Sequence, residues 1–299
     1  MDLRDSGAAI GQQNKRSILI IGSLSLHNAA IMSRVAPLHV SQQLIDDPLP
    51  MWRRYARDYH HTICDYDFGA RGHPNVLTEG EAWRSRIIGS RLTRSECDQV
   101  VQRALCSPWG SVPADADLVD ADPAEPDGLF VDAVQLYWSF TSPQRIRGVA
   151  VAKIHKILHP KRPDLYPILD LRVKRLYRPG AAAWIVRMSH LGEVTLADSP
   201  PYWAAFRDDL VRNHEALRAY QRQMAEDSDE RVRMMANLTC LRLQDVIAWM
   251  IAVSTLRPAI ALSGESRCHA EKAIVPWRPN EQHGLRTMIR RLPTLHRQL

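Results

Sequence analysis

The chain has 299 residues, 45% of them hydrophobic and 24% charged, which excludes wholesale disorder and suits one large domain or two lobes sharing a core. Its five cysteines (Cys64, Cys97, Cys106, Cys240 and Cys268) are odd in number and far apart. That argues against a disulfide framework and against a zinc or iron–sulfur centre, and it fits a reducing cytoplasm. The formal charge of +6 is unevenly placed: residues 147–178 hold nine Lys and Arg against Asp164 and Asp170, a net +7, so the rest of the chain sums to −1. A focused positive field of this kind is the footprint of phosphate binding, and a solvated helix face is its plain alternative.

Residues 1–50 read as a weakly ordered N-terminal arm, and Met51, opening Trp52-Arg53-Arg54-Tyr55, is a candidate for the true start. The apolar run 17–21 after Lys15-Arg16 is too short to cross a bilayer, and no other stretch nears eighteen apolar residues, so no membrane partner is expected. Strands are suggested only at 17–21 and 258–262. From 51 to 299 the pattern predicts a single helical domain of two lobes, with about ten helices. Residues 51–110 are helical, broken by the turn Asp67-Phe68-Gly69-Ala70-Arg71-Gly72-His73-Pro74. Thr78 with Glu81, and Thr93 with Glu96, have the spacing of capping boxes. His60, His61 and Cys64 offer three ligands from one turn and no fourth, so no metal is expected, nor any cofactor.

The acidic, Pro-rich stretch 111–128 reads as a solvated loop, since the ligand spacing and glycine of an EF-hand are missing. A helix follows from Gly128 to Phe140. Ser142-Pro143 caps a short helix ending near Arg147-Gly148, and Val151 to Leu158 forms the next, stopped by Pro160 and Pro163. Tyr166-Pro167-Ile168-Leu169 is extended, and Asp170 caps a helix running to about Tyr177. Further helices are predicted at Ala181–Leu191, Pro201–Met224 and Asp229–Ser254.

Residues 143–178 form the informative segment. A short helix, a glycine turn at Gly148 and a second helix fit a helix-hairpin-helix at the junction of the lobes. In such a motif the turn's N–H groups and the second helix's N-terminus face a DNA phosphate. The run Gly148-Val149-Ala150, Lys161-Arg162-Pro163 and Pro167-Ile168-Leu169-Asp170 resembles an uncharacterised bacterial family with a "GVG…KRP…P(V/I)xD" core. The later Leu241-Arg242-Leu243-Gln244-Asp245-Val246-Ile247-Ala248-Trp249-Met250 matches that family's "LRxxDVxxWM" helix. The family is distantly similar to the helix-hairpin-helix base-excision DNA glycosylases. There a "PGVGxKTA" hairpin precedes a "VDxHVxR" segment, which Asp170-Leu171-Arg172-Val173-Lys174-Arg175 matches in outline.

That resemblance implies a mainly α, glycosylase-like two-lobed bundle. It makes Asp170 catalytic, with DNA phosphate held by Gly148, Val149, Ala150, Lys153, Lys156, Arg172 and Arg175. Base flipping would deliver the target nucleotide. The family's second hairpin glycine is Ala150 here, and its lyase lysine falls on Ala152, so at most a monofunctional hydrolase is implied.

Plainer readings stand beside these. Asp170 caps its helix whether or not it reacts. Asp245 on an apolar helix calls for a buried partner, Arg242 or Arg175, as a structural ion pair. His155 and His159, one turn apart, read as exposed or phosphate-facing. Trp138, Trp184, Trp203 and Trp249 read as core. The alternative to a DNA-binding, glycosylase-like hydrolase is a non-catalytic module of the same fold that binds DNA or a protein. A third reading leaves the basic residues solvated and without a nucleic-acid role.

Overall fold

The computed structural model describes residues 35–141 and 145–254. The expected strands at 17–21 and 258–262 and the Ser142-Pro143 cap lie outside them. The described residues fall within one compact unit that ends at Ser254.

The expected arm is folded from residue 35 onwards. Strands β1 (Leu38–Val40) and β2 (Gln43–Ile45) pair antiparallel around Ser41, and Leu38 and Val40 are fully buried. Their anchor lies far along the chain. The His39 amide donates to Asn213 Oδ1 at 2.8 Å, and Asn213 Nδ2 donates to the His39 carbonyl at 2.6 Å. Two buried residues in β1 and none in β2 give no readable period, and the ladder's edge is satisfied by side chains that local pattern does not announce.

Among the described residues ten α-helices follow: α1 (Leu49–Asp58), α2 (His60–Thr62), α3 (Glu79–Arg84), α4 (Arg94–Ala104), α5 (Leu129–Thr141), α6 (Val151–Leu158), α7 (Leu171–Arg187), α8 (Pro200–Ala225), α9 (Glu230–Met235) and α10 (Cys240–Ser254). A π-helical turn, Ile63–Asp67, extends α2. Both capping boxes form: Thr78 and Thr93 accept from the amides of Glu81 and Glu96, whose carboxylates reach back to the cap amides.

Two boundaries differ from expectation. Pro179 does not end α7, which runs on to Arg187. The proline sits on the exposed side, where the carbonyl it leaves without a donor meets solvent. Gly180 then lets α7 approach α8, since a Cβ there would lie 3.0 Å from the Ala205 Cβ. The helix expected over 229–254 breaks at 236–239. Thr239 restarts it by accepting from the Arg242 amide at 3.1 Å while its hydroxyl donates to the Pro163 carbonyl.

The acidic stretch 111–128 is an ordered loop, not a bare linker. Val112, Ala116, Leu118 and Ala121 are buried, the Leu118 amide donates to the Asp164 carbonyl, and Arg207 Nε donates to the carbonyls of Leu118 and Val119. Trp184 and Trp203 are buried, and Trp138 and Trp249 are packed partly buried against the core.

Candidate nucleic-acid interface

The glycine turn exists. Residues 146–149 form a β-turn closed by the Val149 amide on the Ile146 carbonyl at 3.0 Å, with Gly148 at φ +83°. Arg145 and Ile146 are not helical, so the turn joins a non-helical approach to α6. Arg147, Gly148 and Ala150 are exposed and Val149 is buried.

What faces the turn is a carboxylate of the same chain. A Cβ on Gly148 would collide with Glu96 Oε1. Lys153 Nζ donates to Glu96 Oε2 at 2.7 Å, and the Thr93 amide donates to the same oxygen at 2.7 Å. Burial pushes the Glu96 carboxyl up, but Lys153 and Thr93 outweigh it and hold the acid below its ordinary range. An anion bound by lysine against a glycine turn is the arrangement expected for phosphate, but here the anion is Glu96.

The neighbouring cations are also engaged. Lys156 Nζ donates to the Ile88 carbonyl at 2.7 Å, and burial lowers its pKa while Asp170 opposes the shift. Lys161 is buried in an ion pair with Glu81 and donates to the His73 carbonyl. Arg162 is fully buried, and no carboxylate among the described residues ion-pairs with it. Its guanidinium donates to the carbonyls of Pro74, Trp109, Val112 and Lys161 and to Asn75 Oδ1. The Lys161-Arg162-Pro163 motif is therefore an internal clasp between two loops.

His155 and His159 are core residues, not surface ones. The Val151 carbonyl can only accept, so His155 Nδ1 carries the proton, donated at 2.8 Å, and Nε2 accepts from Trp203 Nε1–H at 2.8 Å. His159 Nδ1 donates to the Tyr166 carbonyl at 2.8 Å by the same logic. Burial pushes both imidazoles down to about 3, so both are neutral.

The partner of Arg242 is Asp67, not Asp245. Arg242 Nε donates to Asp67 Oδ1 at 2.8 Å and Nη2 to the Tyr55 hydroxyl at 2.9 Å. Asp245 Oδ2 accepts from the Ile168 amide at 2.9 Å, fixing the extended segment before α7, and its Oδ1 is buried without a hydrogen bond. Burial pushes Asp245 up to about 7 against the pull of Arg242. Arg175 is exposed on α7. The crevice beside Arg242, lined by Tyr66, Asp67, Arg71, His159 and Thr239, has a free volume of about 20 Å³, room for a water and little more.

Asp170 is the N-cap of α7. Its Oδ1 accepts from the amides of Arg172 at 2.8 Å and Val173 at 2.9 Å, and the residue is half-buried. The accessible cations lie further along that helix. Leu171, Lys174, Arg175 and Arg178 share a face that, with Leu196 and Tyr202, lines an open recess of about 330 Å³. Exposed Arg145 lies close enough to depress the Lys174 pKa, a shift that burial dominates and Asp198 opposes. Arg172, on another side of α7, is half-buried and does not line the recess. Sequence reasoning missed Leu196 and Tyr202, which come from the following loop and helix. Only the i, i+3, i+4, i+7 spacing of 171, 174, 175 and 178 signals the face.

The model of a family of unknown function, DUF6308, matches residues 101–252, about half of the chain. The chain belongs to that family. Neither a curated protein nor a solved structure matches it. Lys153, Lys161 and Arg242 fall within the matched span, and their partners Glu96, Glu81 and Asp67 precede it. The segment before residue 101 thus neutralises three cations of the family region.

Proposed function

We propose that this chain is a non-catalytic DNA-binding module that contacts DNA through the face of α7, its helix-hairpin-helix-like turn serving as scaffold. One observation carries the reading: Lys174, Arg175 and Arg178 converge on one open recess with Arg145 beside it, and among the described residues no carboxylate ion-pairs with Arg175 or Arg178. Clustered cations on an accessible face supply the sequence-independent part of DNA affinity by releasing counterions. The hairpin is a poorer candidate for that contact, because Glu96 already meets Lys153 and Gly148.

A glycosylase-like hydrolase is the less supported reading. Asp170 spends one oxygen on two α7 amides and does not line the adjoining recess, and Ala152 stands where a lyase would carry lysine.

Fluorescence anisotropy of the full chain with labelled DNA tests the proposal. Affinity is expected to fall steeply with rising salt, and to fall at least about tenfold in Arg175→Glu/Arg178→Glu. No binding at low salt, or a double variant that binds like wild type, overturns it. Asp170→Asn is expected to retain binding. Base release that this change abolishes would establish the hydrolase instead.

A further inference from the structure

The recess on α7 has an apolar floor as well as a cationic rim. Leu171 is 64% exposed at the first turn of the helix and half-buried Leu196 lies beside it, while Tyr202 is buried beneath them. Tyr202 is held from two sides: its hydroxyl donates to the Leu196 carbonyl at 3.1 Å, and Lys174 Nζ sits 4.4 Å from its ring centroid. Lys174 is fixed in turn by donating to the carbonyls of Ala197 and Asp198. Arg175 and Arg178 remain at the mouth. At about 330 Å³ the recess is within the range of pockets that take a small planar group.

Duplex DNA has no use for such a floor. Its bases are stacked, and the surface it turns toward a shallow recess is phosphate and sugar. If charge were the whole attraction, the duplex would win, since its denser phosphates release about 0.9 counterions per contact against about 0.7 for a single strand. An unstacked base offers a flat apolar face, with a phosphate on either side at the reach of two arginines.

We propose that the recess binds single-stranded DNA, seating one unstacked base on Leu171 and Leu196 with the flanking phosphates on Arg175 and Arg178. This rests on the DNA-binding reading above and names the strand state that the same site selects.

The test uses the full-length chain and one labelled oligonucleotide of about 20 nucleotides, offered single-stranded and as its duplex at about 0.15 M salt, with binding read by anisotropy. The single strand is expected to bind at least about tenfold more tightly. Leu171→Ser is expected to narrow that ratio severalfold, and Arg175→Glu/Arg178→Glu to weaken both forms. Leu171 is exposed, so its replacement leaves the core intact; an unchanged circular-dichroism spectrum and melting curve check this. Duplex binding as tight as single-strand binding overturns the inference while leaving DNA binding standing, as does a Leu171→Ser ratio equal to wild type. Failure of both forms to bind at low salt overturns the DNA-binding reading, and this inference with it.

Discussion

Two neighbouring stretches carry the chain's positive charge, and the fold treats them oppositely. Between Lys153 and Arg162 every cation is engaged: Lys153 by Glu96, Lys161 by Glu81, Lys156 and Arg162 by backbone carbonyls. On α7, Arg175 and Arg178 stand exposed on the rim of a recess. In sequence the two look alike. The difference lies in what the rest of the chain brings to them: the segment before residue 101 delivers carboxylates to one and none among the described residues to the other. A run of Lys and Arg is therefore a statement about charge, and becomes a statement about field only once partners are known.

The comparison is broken most severely at its buried end. Asp67→Ala leaves the Arg242 guanidinium buried without its counter-charge, and unfolding free energy is expected to drop by about 3–5 kcal/mol in denaturant titration. A loss under about 1 kcal/mol would mean that Tyr55 and solvent suffice for Arg242. Glu96→Gln keeps the cap geometry but removes the partner of Lys153, whose side chain is 16% exposed. A smaller loss of about 1–2 kcal/mol is expected by the same titration.

A pH profile sharpens the contrast within the core. Asp245, pushed up to about 7, ionises above the value of about 4 that it takes in an unfolded chain. Between those values the folded state binds the extra proton. Stability from this group is therefore full at acid pH, falls as pH rises through the window and levels off above about 7. Asp245→Asn is expected to flatten that decline, matching wild type near pH 4 and exceeding it by about 4 kcal/mol at pH 8. Parallel profiles would show that Asp245 titrates normally.

The caps and the surface come last. Asp170→Ala is expected to cost about 1 kcal/mol as a lost N-cap, measured by thermal melting. Arg175→Glu/Arg178→Glu is expected to shift stability by no more than about 0.5 kcal/mol, so any loss of DNA affinity in that variant is not a folding defect.

The mainly α character, the two capping boxes, the α6 and α7 starts and the break before Pro160 were legible, because each depends on residues within one or two turns. The β1–β2 pair was not, since Asn213 and Asp209 complete it from more than 160 residues away. Neither were the burial of His155 and His159, the pairing of Arg242 with Asp67, or the closure of Gly148 by Glu96. Glu81 and Glu96 were read correctly as capping residues, yet one carboxylate oxygen can serve a cap amide while the group also pairs a lysine. Spacing along a helix gives no hint of that second duty. The α7 recess was half legible: its own four residues share a face, while Leu196 and Tyr202 arrive from the next loop and helix.

The most direct test sets the two basic stretches against each other in one assay. The slope of log affinity for DNA against log salt is measured for wild type, for Arg175→Glu/Arg178→Glu and for Lys153→Gln/Glu96→Gln, the last removing the hairpin pair without leaving a charge unpaired. The account predicts a slope reduced by about 1–2 in the α7 variant and unchanged in the hairpin variant. A slope that flattens only in the hairpin variant would contradict it.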